Sequence, residues 1–169
     1  MQEMTYGLNE IPANSEITLR HAVKGIIIRN TEKPEILLIC TNKGDYKFVG
    51  GGVKNNENDS DTLKREIMEE CGFEMISMGE CKCVTIEQNV DIFDPNKIFK
   101  MVSRYYFCEV DPENQYLQNL DDYEQKQEFR SEWIDIESAI ENNEQLLKSN
   151  RKDINPWVRR DTDVLMMLI

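Results

Sequence analysis

No apolar stretch in this chain approaches the ~20 residues needed to span the hydrocarbon of a bilayer. No repeat, low-complexity tract or Pro/Gly-rich linker divides it either; its five prolines are scattered over 169 residues. Positive charge is scarce: 20 lysines and arginines stand against 32 aspartates and glutamates, a formal net charge of −12. With no basic patch to offset that repulsion, neither a nucleic-acid polymer nor an anionic membrane is an expected partner. A small phosphorylated ligand is not excluded, because it can arrive with bound cations and be held by a local site. The start, Met1-Gln2-Glu3-Met4, has neither a basic segment nor an apolar run. No secretory signal is therefore expected, and the cytoplasm is the expected location.

Soft metal ligands are few as well. His21 is the single histidine, and the cysteines number five: Cys40, Cys71, Cys81, Cys83 and Cys108. An odd count, in a chain long enough to bury a core without staples, argues against a disulfide framework. Cys81 and Cys83 would share one face of a strand. A zinc site there would need two more soft ligands nearby, so small core residues are the better reading.

What is present is a globular composition, 40% apolar, at a length that fits one domain over residues 1–169. Residues 1–20 show no firm period. Ala22 to Ile28 and Ile36 to Cys40 read as buried strands around a Glu32-Lys33-Pro34 turn, and a third short strand leads from Tyr46 into Gly50-Gly51-Gly52. A helix is expected from about Asp59 to Cys71, with Asn58, Asp59 or Ser60 as N-cap and Gly72 just past its end. Ile76 to Phe93 and Ile98 to Val110 read as long strands joined by a hairpin at Asp94-Pro95-Asn96-Lys97. Asp111 to Glu128 reads as a long acidic loop. A short strand over Trp133 to Ile136 and helices over Ser138 to Lys148 and from Pro156 or Trp157 to Leu168 complete an α/β layered fold. The hairpin argues against an all-parallel sheet.

The chemistry concentrates in one segment. On a helix advancing about 100° per residue, Glu66, Glu69 and Glu70 share a stripe about 100° wide, directly beside an apolar stripe of Leu63, Ile67 and Cys71. The helix can dock through the second stripe and present the first along a cleft. Like charges at i and i+4 repel, and Arg65 alone cannot neutralise three carboxylates; a hard cation such as Mg²⁺ or Mn²⁺ can. On charge alone, changing Glu69 or Glu70 to glutamine should relieve repulsion and leave stability equal or higher. The three glycines put bare backbone just upstream, where it can approach phosphate or offer a carbonyl to a metal.

Read as spacing, Gly51, five residues, Glu57, seven residues and Arg65-Glu66-Ile67-Met68-Glu69-Glu70-Cys71-Gly72-Phe73 reproduce the Nudix box at every specified position. A chance match somewhere in the chain is on the order of one in a million from average residue usage. The chain thus resembles the Nudix hydrolases. One departure is Val49, where members often carry proline. The resemblance implies an α/β/α sandwich around a mixed sheet, Mg²⁺ or Mn²⁺ held by carboxylates, and attack of water on a diphosphate linkage in a small nucleotide-derived substrate. It implies metal ligands at Glu66, Glu69, Glu70 and the Gly50 carbonyl. Arg65 would orient the glutamates, Glu57 would brace the loop, and Gly50, Gly51 and Gly52 would form the phosphate-side loop. The general base would come from the box or from Glu113, Asp121, Asp122, Glu124 or Glu128. A homodimer is a possible assembly, as many relatives pair.

Substrate is not legible here. Gln88 and Val90 occupy the positions where ADP-ribose and diadenosine polyphosphate enzymes carry a proline and a tyrosine. Tyr46, Phe48, Phe93, Tyr105 and Tyr106, or Tyr116 and Tyr123 of the acidic loop, are the aromatics that could stack on a base. The competing reading is a Nudix-fold nucleotide-binding or regulatory module without turnover.

Overall fold

Every second residue of the strand Glu35–Cys40 points to the same side, and the two sides bury different helices. This strand, β4, sends Leu37 and Ile39 into one core with Leu63, Ile67 and Cys71 of helix α1 (Asp59–Cys71). Ile36 and Leu38 enter a second core with Ile136, Ala139 and Ile140 of α3 (Ile136–Lys148) and Val164 and Leu165 of α4 (Val158–Met166). A strand covered on both faces reads as a continuous apolar run rather than an alternation. The computed structural model, which describes residues 2–169, therefore has helices on both faces of a strand layer, as the sequence implied.

That layer contains two four-stranded sheets. One is mixed, in the order β1 (Gln2–Gly7), β6 (Phe73–Val90), β7 (Lys97–Gln115), β2 (Glu16–Ile26). Here β1 runs parallel to β6 and β2 parallel to β7, while β6 and β7 form the expected antiparallel hairpin. The other is antiparallel: β4 pairs with β3 (Ile28–Arg29), β5 (Tyr46–Phe48) and β8 (Arg130–Asp135). Single bridges, Ala22 to Gly52 and Gly25 to Val49, tie the glycine segment to β2.

Several boundaries differ from the sequence reading. Residues 2–7 and 16–21 are strand, because they find partners in β6 and β7 far along the chain. Cys81 and Cys83 straddle a register irregularity, so Cys83 is fully buried while Cys81 is only half-buried. All five cysteines are free thiols.

The largest correction concerns Asp111 to Glu128, which is not one loop. β7 continues to Gln115, and α2 (Asp122–Lys126) follows. Between them the chain runs along the C-terminal end of α1. Tyr116 N donates to Gly72 O (2.7 Å) and Asn119 N to Glu69 O (2.8 Å), while Gln115 Nε2 reaches Cys71 O (3.2 Å) and Gln118 Nε2 reaches Glu70 O. The last carbonyls of a helix have no partner within it; here they accept from this segment.

Candidate active site

Helix α1 begins where Asn58 caps it, the side chain accepting from Asp61 N (2.8 Å), and stops at Gly72 in the left-handed region (φ 72°). Between these ends the burial of its glutamates follows their angle from the apolar stripe. Glu70, nearest that stripe, is 1% exposed; Glu66 is 7% exposed; Glu69, farthest away, has a side chain 32% exposed.

Burial of Glu70 requires compensation. Lys47 Nζ on β5 donates to its Oε1 (2.9 Å), and Gly50 N donates to its Oε2 (2.8 Å). Lys47 is itself buried, with the Phe129 ring 4.2 Å from its ammonium. Lys24 of β2 is buried too and donates to the Gly50 carbonyl (2.6 Å); burial, reinforced by the Lys47 and Arg160 charges, pulls its pKa down to about 8. Neither lysine was singled out in the sequence. Lys24 carried a usable signal, a lone charge inside the apolar run Ala22 to Ile28.

Gly51 shows why this position excludes a side chain. A Cβ there would lie 2.5 Å from Glu66 Oε1, so the carboxylate is packed flush against bare backbone. Gly50, at φ 128°, would place a Cβ on the Val23 carbonyl.

Arg65 organises the outer edge. Its Nε and Nη2 grip both oxygens of Glu57 (2.7 and 2.8 Å), and its Nη1 donates to Glu66 Oε1 (2.5 Å) and Glu69 Oε2 (3.1 Å). Glu57 also accepts from Thr62 Oγ1 and Lys54 N. These bonds, Arg65 first, hold the Glu57 carboxyl down at about 2. Arg65 thus links Glu57 of the loop to Glu66 and Glu69 of α1.

The cluster closes with a residue from a separate part of the chain. Carboxylate oxygens of Glu66, Glu70 and Glu124 lie within 4.8 Å of one another. Glu124 is held by a capping box: Asp121 Oδ1 accepts from Glu124 N, and Glu124 Oε2 accepts from Asp121 N, each at 2.8 Å. Among the five acidic residues of 111–128 considered from sequence, Glu124 joins this group and Glu113, Asp121, Asp122 and Glu128 do not. Glu69 stands beside the group rather than in it. Burial, with the Glu70 charge next, raises the Glu66 carboxyl above its usual range against the pull of Arg65. Glu124 is raised likewise, chiefly by burial.

Glu66 and Glu124 border a cleft of about 520 Å³ that is also lined by Arg20, Lys54, Glu69 and Asn119. A NUDIX domain is matched over residues 19–158 of the chain. The protein belongs to the Nudix family. By that membership it is classed with the Nudix pyrophosphohydrolases. The Nudix fold is also found by comparison with solved structures. The E. coli ORF135 protein, a solution structure, superposes with a TM-score of 0.53 at 18% identity, covering 90% of this chain and 91% of that one. A MutT NUDIX hydrolase from Burkholderia pseudomallei gives 0.53 at 16% identity, with coverages of 86% and 97%. No curated protein matches the sequence. Among the described residues no helix is long and apolar enough to cross a membrane.

Most of the aromatics considered for stacking serve the core instead. Phe48 and Tyr105 are fully buried edge to face, 5.2 Å apart. Tyr106 donates its hydroxyl to Asp59 (2.6 Å), and Tyr46 lies on β5. Phe93 is exposed beyond the end of β6.

Proposed function

We propose that this Nudix protein hydrolyses a phosphoanhydride bond in a nucleoside diphosphate-linked small molecule, with Mg²⁺ or Mn²⁺ as cofactor. The candidate substrates are nucleoside triphosphates and diphosphates bearing a sugar or ribose. The observation that carries the reading is the meeting of Glu66 and Glu70 with Glu124 inside 4.8 Å. Two of these are nearly buried; Lys47 pairs with Glu70 and Arg65 with Glu66, but Glu124 has no ion pair among the described residues, so three adjacent carboxylates favour a further counter-charge. Their donor set is all oxygen, which suits a hard divalent cation and not a soft one.

Glu66, Glu70 and Glu124 would hold that cation, and Glu69 would add an oxygen from the open side of the cleft. The Gly50 carbonyl accepts from Lys24; its second lone pair leaves room for the metal contact implied by the family resemblance. A bound cation supplies neutralisation of phosphate charge, polarisation of phosphorus and a lowered pKa for the attacking water. The chain's part is placement. Arg65 fixes Glu66 and Glu69 against Glu57. Gly51 lets the Glu66 carboxylate sit against the loop. Arg20 and Lys54, on the open side, offer positive charge to phosphate oxygens.

The test is release of phosphate or nucleoside monophosphate from a panel of nucleoside triphosphates, nucleoside diphosphate sugars and ADP-ribose, with and without each cation. Turnover of at least one compound, only with Mg²⁺ or Mn²⁺ present, is expected. Undiminished turnover after exhaustive chelation overturns the reading, as does inertness of the folded protein toward the whole panel.

A further inference from the structure

Taking an ammonium out of water is costly unless a partner of opposite charge offsets it. Lys24 on β2 is 6% exposed, yet among the described residues it forms no ion pair. Its one hydrogen bond runs to a neutral acceptor, the Gly50 carbonyl (2.6 Å). Burial disfavours its charge, and the carboxylates that act the other way, Asp161 and Glu70, are engaged elsewhere. Asp161 accepts from Phe48 N, the Tyr105 hydroxyl and Arg160 Nε. Glu70 accepts from Lys47 on one oxygen and Gly50 N on the other.

The lysine is not needed to tie the glycine loop to the sheet. Its two chain neighbours already do so: Val23 N donates to Gly51 O and Gly25 N to Val49 O, each at 3.0 Å. The loop lies so close to β2 that a Cβ on Gly50 would stand 3.1 Å from Lys24 Cα. The ammonium is therefore held in place by backbone on both sides, and what it adds is charge. That charge reaches the carboxylate cluster: burial and the Glu70 charge raise the Glu66 carboxyl, and Lys24 is among the cations that oppose them.

Charge balance shows what this accomplishes. Five carboxylates meet around the site, those of Glu57, Glu66, Glu69, Glu70 and Glu124. Arg65 and Lys47 are the cations paired with them. Without Lys24 the set is left with three uncompensated negative charges; with it, two remain, the charge of one divalent cation.

We propose that Lys24 is a built-in cation of this site, supplying one fixed positive charge at the Gly50 carbonyl so that a single divalent ion neutralises the cluster. The inference rests on the cation reading above and deepens it by assigning a residue that sets how strongly the glutamates attract metal. Lys24 is a positioned charge rather than a catalytic residue.

The experiment reads metal binding, not turnover. The full chain, stripped by chelator and dialysed, is titrated with Mn²⁺ alone at neutral pH, the free ion being followed by its paramagnetic resonance signal. The parent should take up one Mn²⁺ per chain. Lys24→Gln keeps a donor for the carbonyl without the charge, and Lys24→Met keeps the length with neither. Each should bind Mn²⁺ about tenfold or more tightly than the parent, because a like charge has left the site. A merely structural lysine gives the opposite sign, since its loss would loosen the Gly50 carbonyl and weaken binding. Affinity that is unchanged or lower in both variants overturns the role of Lys24, as does more than one tightly bound Mn²⁺ in the parent. If both variants are unfolded without metal by circular dichroism, Mn²⁺ should refold them, and failure to do so overturns the proposal too. A parent that hydrolyses diphosphates but whose Lys24 variants bind Mn²⁺ no more tightly refutes the built-in cation alone. A parent that binds no Mn²⁺ refutes the cation reading on which both rest.

Discussion

Replacing Glu70 by glutamine exchanges one oxygen for an NH₂ group, yet it removes the charge against which Lys47 is buried. The side chains of the pair are 7% and 1% exposed. Removing one partner of such a pair leaves the other charge uncompensated and costs about 3–5 kcal/mol. The amide cannot escape this by rotation. Glu70 accepts from Lys47 on one oxygen and from Gly50 N on the other, so in either orientation the new NH₂ faces a donor. The Phe129 ring, 4.2 Å from the ammonium, returns a little of the loss. A destabilisation of about 3 kcal/mol is expected, which in a chain of this size lowers Tm by about 6–12 °C. Glu69→Gln is the control. Its side chain is 32% exposed and bound only to Arg65, so its effect should stay within about 0.5 kcal/mol. Thermal unfolding of parent, Glu69→Gln and Glu70→Gln by circular dichroism in chelator is the assay. Charge counting along the helix alone predicts that both variants match or exceed the parent. If Glu70→Gln melts with the parent, repulsion among the carboxylates outweighs the Lys47 pair, and the burial argument fails.

Asp121→Ala should cost about 1 kcal/mol of capping and, by releasing Glu124, lower kcat about tenfold, with Asp121→Ser restoring most of it; full kcat in the alanine variant would separate Glu124 placement from the capping box. Gly51→Ala should abolish most turnover while the protein stays folded, because its Cβ would fall 2.5 Å from Glu66 Oε1; parent-like kcat at saturating Mn²⁺ would show that the carboxylate can move aside. Glu57, held near 2 against an ordinary 4.5, contributes stability that is complete above about pH 4.5 and lost as pH falls toward 2. Glu57→Gln should therefore narrow its stability gap from the parent across that window, and a gap independent of pH in acid denaturation curves would contradict the assignment.

How far the fold could be read depended on whether an element's cause was local. Helix α1 was legible because Asn58, Gly72 and the apolar stripe all lie within it, and the hairpin was legible because Asp94 to Lys97 carries its own turn chemistry. β1 and the first half of β2 were not. Their residues are largely exposed, so no buried period marks them, and their strand character comes from pairing with β6 and β7. The segment 111–128 misled for a similar reason. Pro112, Asn114 and the acidic residues suggest a loop, yet residues 115–119 are ordered by carbonyls of α1 more than forty positions earlier. One local sign was there to be read: Asp121-x-x-Glu124 is a capping-box pattern.

The same division runs through the site. Helical geometry alone ranks Glu70, Glu66 and Glu69 by burial, since their angles from the apolar stripe are set by the helix. No such rule could select Glu124 from its acidic neighbours, because what selects it is the path of the chain before it. That path is fixed by α1 itself. The helix presents Glu66, Glu69 and Glu70 from its side, and the carbonyls of Glu69, Glu70, Cys71 and Gly72 at its end anchor the segment that delivers Asp121 and Glu124. A helix with the same glutamates but a different C-terminal partner would display the box without closing the cluster. The spacing motif therefore specifies half of this site, and the other half is specified by Gln115 and Gln118, whose amides reach those carbonyls and carry no charge to draw attention to them.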